Sequence, residues 1–144
     1  IGLFIIVTGV EHAGLLTMLG NALIDFTGGD PATTAYSTLW LSAIVSAAVD
    51  NIPFVATMIP LVESMEGALG GKEAMEPIWW SLALGACLGG NGSLIGAAAN
   101  VMVSGMSARA GYPIGFASFL KIGLPLMFLS VVIAHVYIWA RYYL

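Results

Sequence analysis

Asp50, Asn51 and Pro53 stand together inside the apolar stretch AVDNIPFVATMIP, residues 48–60. A second polar island, GGNGS at residues 89–93, places Gly90, Asn91, Gly92 and Ser93 within another apolar run, with Asn100 a little further on. An ionisable group in such surroundings is costly and by default functional. Burial without a partner raises the pKa of a carboxyl group, and a bound cation lowers it. One carboxylate at membrane depth can therefore exchange a proton for a cation, which is the chemistry of antiport. Carbonyls at the end of an interrupted helix suit a cation, and the free N–H groups that begin the next half suit an anion or a polar oxygen. A coupling Na+ near Asp50 and Asn91, or H+ in its place, is expected, with no organic cofactor, no resident metal and no catalytic residue. Asn51 also suits the cap of a following helix, and a cap whose side chain touches an ion fills both roles. Gly85, Gly89, Gly92 and Gly96 fit close helix packing. That pattern accounts for Gly85 and Gly96 but not for Gly90 beside Asn91, where an unwound segment is expected.

The elements that position these residues follow from composition. The chain is 59% hydrophobic and only 8% charged, where soluble domains carry about 25% charged residues. The solvent is therefore mostly lipid, and the fold class is an all-α membrane protein. Four Lys and Arg against eight Asp and Glu leave no basic patch for nucleic acid. The single cysteine, Cys87, excludes an internal disulfide and reads as a packing residue, although a thiol is a soft ligand for trivalent arsenic.

Residues 1–10 read as the second half of a membrane helix, ending near Glu11 and His12 in a solvated turn. On that reading the chain is part of a longer protein. Leu15, Leu16, Leu19, Leu23 and Phe26 recur at helical spacing, so residues 1–32 should comprise a helix end and an amphipathic helix at the membrane interface. Residues 33–144 form the second unit. The run 33–62 would make a rod of roughly 45 Å, against a hydrocarbon core of about 30 Å. Pro53 removes a backbone donor and disfavours helix at Ile52, which divides the run into two limbs too short to cross. Residues 78–107 are again too long and broken, with unwinding expected at residues 89–92, since each glycine disfavours helix by about 1 kcal/mol. Trp79 and Trp80 mark an interface where this helix enters, and residues 120–142 form the last transmembrane helix, containing Pro125 and His135. His135 should contact another helix or the outer interface.

Charges orient these elements. Residues 11–31 carry acids but no Lys or Arg, and residues 63–76 carry four acids and Lys72, whereas residues 105–121 carry Arg109 and Lys121 without an acid. Lys and Arg favour the cytoplasmic side, so loop 105–121 is expected inside and the two acid-bearing loops outside. Only a re-entrant hairpin over 33–62 puts both acidic loops on one face.

The stretches LWLSAIVSAAVDNIPFVATMIPLVESM and GACLGGNGSLIGAAANVMVSGMSARAGYPIGFASFLKIGLPLM resemble the permease group uniting arsenite pumps, NhaD-type sodium–proton antiporters and the melanosomal P protein. That group belongs to the ion transporter superfamily, with citrate and dicarboxylate carriers. The resemblance is to the C-terminal half of such a permease. It implies one half of an inverted-repeat transporter, a homodimer in the plasma membrane, completed by an N-terminal half and moving like an elevator, with residues 13–26 as the arm joining scaffold to transport domain. It also implies substrate and ion contacts at Asp50, Asn51 and Pro53 in the hairpin and at Gly90, Asn91, Gly92, Ser93 and Asn100 around the break. Many relatives have Asp-Pro-Pro-Asn where this chain has Ala97-Ala98-Ala99-Asn100, so only the Asn carries over. Dicarboxylate carriers have Ser-Asn-Thr in place of Asp50-Asn51-Ile52, which favours an inorganic ion or arsenite-like solute over an organic anion such as citrate. Rival classes fare worse. An intramembrane aspartyl protease needs two carboxylates sharing a proton, a channel would show a ring of charge, and a plain membrane scaffold has no use for a buried aspartate.

Overall fold

The computed structural model describes residues 15–144. The helix end expected over residues 1–10, together with Glu11, His12 and the first residues of the expected arm, lies outside the described residues. Within them the chain is all-helical: α1 Leu15–Thr27, α2 Pro31–Ser46, α3 Asn51–Ser64, α4 Lys72–Gly89, a 3-10 turn Gly90–Gly92, α5 Ala98–Arg109 and α6 Phe116–Tyr142.

Local chemistry sets the boundaries. Gly28 and Gly29 adopt φ of +66° and +72°, a left-handed conformation that ends α1. Asp30 then caps α2, its carboxylate accepting from Thr33 N at 2.8 Å, with Pro31 in the first turn. Gly70 and Gly71, at φ +98° and +92°, turn the chain into α4. This helix begins at Lys72, six residues before the expected 78, because Pro77 does not mark its start. The hydrogen bond Pro77 forgoes belongs to the Glu73 carbonyl in the exposed first turn. Likewise α6 begins at Phe116 rather than 120, and Pro125 leaves it a single helix. The run 33–62 is divided into two helices, α2 and α3, over 31–46 and 51–64, and α5 ends at Arg109 rather than 107.

Helices α2 and α4 pair most extensively, and they run parallel. Gly85 lies on Leu39 and Ser42, Gly89 on Ala43, and Ser46 bonds to Ala86. A Cβ on Gly85 would sit 2.8 Å from that of Ser42, and one on Gly89 would overlap the Ala43 backbone. Small residues let the two backbones touch. Because α4 runs parallel to α2, the intervening α3 must run antiparallel to both. One core cluster accordingly joins Ala35 near the start of α2 with Leu61 and Val62 at the end of α3 and Ile78 early in α4. A second joins Leu39 and Ala43 to Met127, Val131, Ala134 and Ile138 of α6. α6 runs opposite to α2: Gly123 meets the break after α4, while Tyr143 Oη reaches Pro31 O at 3.4 Å.

Among the described residues, α6 alone is long and apolar enough to cross a membrane. Its 27 residues reach about 40 Å. α5 buries no residue, and Val101, Met102, Val103 and Met106 stand exposed along it. α1 leans on α3 and α2 through Leu23 and Ile24, but Phe26, expected on its apolar face, is 80% exposed.

Candidate functional site

The reversal between α2 and α3 lies at residues 47–50. Asp50 is extended, at φ −53° and ψ 139°, and its carboxylate accepts from Ile52 N at 3.2 Å. It is the cap of α3, and it is half-buried. Ile52 is helical, contrary to the expectation that Pro53 would disfavour helix there. Pro53 lies in the first turn, where the N–H groups have no helical acceptor and their loss costs nothing. It starts α3; the interruption is upstream.

The second break also lies later than expected. Gly89 still belongs to α4, and residues 90–92 keep a 3-10 turn. Ser93 and Ala97 are the extended residues, at φ −140° and −147°. The chain can leave the helix at Ser93 because its hydroxyl finds new partners. It donates to the Ala47 carbonyl and accepts from Gly96 N at 3.1 Å.

Hairpin tip and break are packed into each other. With its amide nitrogen toward the break, Asn51 donates to Ala86 O and Gly96 O, each at 3.1 Å, and lies 2.5 Å from Ser46 Oγ. That oxygen in turn donates to Ala86 O at 2.7 Å. Asn100 Nδ2 bridges Gly90 O at 2.9 Å and Ser93 O at 3.0 Å. Thus the C-terminal ends of α2 and α4 converge with the N-terminal ends of α3 and α5, and side-chain amides satisfy carbonyls that no helix serves.

The glycines make this approach possible. A Cβ on Gly90 would lie 2.6 Å from the Asn51 side-chain amide, and one on Gly96 would lie 2.8 Å from Gly90 O and 2.9 Å from Ser46 O. Gly92 is wedged between Ala47 and Met127, and Gly123 of α6 abuts the Asn91 carbonyl, a Cβ there falling 2.7 Å away. Of the residues singled out in the sequence, Asn51, Gly90, Gly92, Ser93 and Asn100 are therefore gathered at one junction. Asn91 is exposed and borders an open cavity of about 660 Å3 against α6, lined also by Ser118, Phe119, Ile122 and Ser130. Among the described residues, Asp50 bonds only within its own helix.

Two members of the junction were not singled out as site residues. Gly96 reads in the sequence as a packing glycine. Ser46 is the last of four hydroxyls at helical spacing, Thr34, Thr38, Ser42 and Ser46, all fully buried. That spacing is visible in the sequence and marks the face of α2 turned to α4. Among the described residues, the hydroxyls of Thr38, Ser42 and Ser81 find no partner there.

Elsewhere, Cys87 is exposed and unpaired. His135 meets another helix: its ring lies 4.3 Å from that of Tyr36, and its Nδ1 accepts from Trp40 Nε1 at 3.4 Å. Trp80 is 48% exposed and Trp79 half-buried against the first core cluster. Among the described residues no three His, Cys, Asp or Glu side chains gather as metal ligands would.

Comparison with known proteins places the chain in a family. The citrate transporter family model matches residues 1–85. An uncharacterized transporter of Mycobacterium tuberculosis (strain ATCC 25618 / H37Rv) is 43% identical over 99% of this chain, which covers 33% of that protein. A 46 kDa membrane protein of Mycobacterium leprae is 38% identical over 98% of the chain and is likewise covered over 33%. The human P protein is 36% identical over 94% of the chain, which covers 17% of it. The chain thus spans about a third of the length of the bacterial relatives and less of the P protein. By the extent of these matches, the chain belongs to the citrate transporter family of membrane proteins.

Proposed function

We propose that this chain carries the substrate- and ion-binding junction of a secondary active transporter, as one half of an inverted repeat completed by further sequence. The observation that carries the reading is the convergence of two helix C-termini and two helix N-termini at one polar junction, stitched by Ser46, Asn51, Ser93 and Asn100. Irregular backbone at membrane depth is tolerated where protein or a water-filled cavity surrounds it, and such junctions hold substrate and coupling ions in carriers. α2 and α3, of 16 and 14 residues, are about 24 Å and 21 Å long, too short to cross a core of about 30 Å. They form a re-entrant hairpin whose tip stops within the bilayer. Asp50 at that tip supplies a carboxylate that exchanges H+ or Na+, and the solute is a small inorganic ion or arsenite-like species. The protein works as a homodimer in the plasma membrane, with loop 105–121 cytoplasmic.

A second reading, an organic-anion carrier, is favoured by the description of the family whose model matches. Against it stands Asp50, whose charge would repel a carboxylate. Proteoliposomes of the full-length protein decide between them. Asp50→Asn should insert and fold normally, yet lose proton-coupled uptake of radiosodium or efflux of arsenite by more than tenfold. Flux equal to wild type in that variant removes Asp50 from the mechanism. Saturable citrate uptake by the wild type, with no sodium or arsenite flux, establishes the second reading instead.

A further inference from the structure

The junction makes no use of His135. From Gly123, which abuts the break, α6 rises about 18 Å to reach it, and there the imidazole is half-buried against α2. Two side chains one turn apart on α2 hold the ring. Trp40 Nε1 donates to its Nδ1 at 3.4 Å, and the Tyr36 ring lies 4.3 Å away, tilted by 32°. Trp40 is itself packed on Phe128 of α6, ring to ring at 5.2 Å, and Tyr36 on Tyr143 at 5.6 Å. Among the described residues, the Trp40–His135 bond is the one hydrogen bond between a side chain of α2 and a side chain of α6.

An indole N–H is a donor with no acceptor beside it. Nδ1 can therefore take its bond only while the imidazole is neutral and carries its proton on Nε2. A second proton would sit on Nδ1 and point at the indole N–H, so the bond cannot survive it. The charged ring still has one favourable neighbour, because a cation is attracted to the face of a tyrosine. Of the titratable groups, Tyr36 alone is in ring contact with His135. Asp30 caps the same end of α2, and its charge reaches Tyr36 and Tyr143. On α6 itself Tyr137, Arg141 and Tyr142 follow, with Glu76 of α4 accepting from Tyr142 Oη at 2.9 Å. The other α4 residues packed on this cluster, Leu84 and Leu88, are apolar.

We propose that His135 is a proton-operated latch between α2 and α6. Neutral, it fastens the middle of α2 to α6 through Trp40; charged, it releases Trp40 and turns to the face of Tyr36, and the two helices loosen. Ser46, at the far end of α2, belongs to the junction. The latch thereby lets acid alter how firmly the first limb is held, separately from any proton carried by Asp50. It goes beyond the carrier reading and does not depend on it, since no transport step enters the argument.

The test uses the full-length protein in detergent, labelled with nitrogen-15 at histidine and tryptophan and followed by NMR from about pH 8 to about pH 5, where imidazoles change charge. His135→Gln and Trp40→Phe identify the two resonances. At the alkaline end His135 should be the Nε2–H tautomer, with Nδ1 bonded to the Trp40 indole. At the acid end both ring nitrogens should carry protons, and the indole N–H should show the shift of a lost bond. Amide exchange at residues 37–43, corrected for intrinsic rates, should rise about fivefold across the range, the fold-change of one ordinary hydrogen bond. His135→Gln, whose carbonyl accepts without titrating, should keep that exchange flat. Asp30→Asn should leave the rise intact, which separates the latch from the cap of α2. An imidazole still neutral at the acid end, or an Nδ1–H tautomer at the alkaline end, overturns the proposal. So does an equal rise in wild type and His135→Gln. Should His135→Gln fail to accumulate, Trp40→Phe decides: its exchange should be raised already at the alkaline end and change little with acid, and a rise like that of wild type overturns the latch.

Discussion

Ser46 Oγ donates to the carbonyl of Ala86 across 2.7 Å, tying the last turn of α2 to the last turns of α4 although 40 residues separate them in sequence. Both groups are buried, and Asn51 lies against the same pair. Interhelical bonds inside membrane proteins contribute about 0.6 to 2 kcal/mol. Ser46→Ala should therefore lower the unfolding free energy by about 1 to 2 kcal/mol, read as a lower thermal midpoint in detergent. An unchanged midpoint would mean that this bond carries no weight at the junction.

Gly89 and Gly105 make a matched pair for the α2–α4 contact. A Cβ on Gly89 meets the Ala43 backbone, whereas one on Gly105, in exposed α5, meets nothing within 4 Å. Overpacking typically costs about 1–3 kcal/mol, while alanine in place of an exposed helical glycine stabilises by about 0.5–1 kcal/mol. Gly89→Ala should destabilise and Gly105→Ala should be neutral or better. Equal effects in a thermal scan would show that α2 and α4 do not pack backbone to backbone.

Asp30 supplies a dependence on pH. The hydroxyl and N–H of Thr33 donate to its carboxylate and hold its pKa below the usual 3.8. A carboxyl whose folded pKa is depressed contributes stability that is fully present above the unfolded value and is lost as pH falls through the folded one. The start of α2 should thus be steady from neutral pH down to about 4 and loosen below it. Asp30→Asn, which caps without titrating, should flatten that acid response. Hydrogen exchange at residues 31–34, compared at pH 3 and 5 after correction for intrinsic rates, reports it. A wild type with no acid loosening there would contradict the prediction.

Topology is open to chemical labelling. In a Cys87→Ser background, Ala32→Cys in the first turn of α2 and Ala68→Cys after α3 should react with a membrane-impermeant maleimide from the same face. Tyr112→Cys, in the loop ahead of α6, should react from the opposite one. Labelling of positions 32 and 68 from opposite faces would make α2 and α3 a single crossing.

Much of the architecture was legible in the sequence. The all-helical class follows from an apolar composition, because lipid leaves backbone groups no partner but each other. The two interruptions announce themselves as polar and glycine-rich islands in apolar runs. Element edges were harder. Pro53 reads as a break, yet it lies in the first turn of α3, where the missing donor matters little; Pro77 likewise lies near the first turn of α4, and Pro125 is carried within α6. Proline forbids one hydrogen bond; neighbouring turns decide whether a helix survives that loss.

Composition and spacing by themselves determined that polar groups would lie deep in an apolar chain at residues 50–53 and 90–93, since burial of such groups needs a compensating structure. Only the tertiary structure decided how they are used. Asn51 and Asn100 turned out to spend their amides on carbonyls, Ser46 and Gly96 joined the junction, and Asp50 and Asn91 kept outside it. The physical reason is that a hydrogen bond depends on direction and on a partner tens of residues away, and residue identity specifies neither.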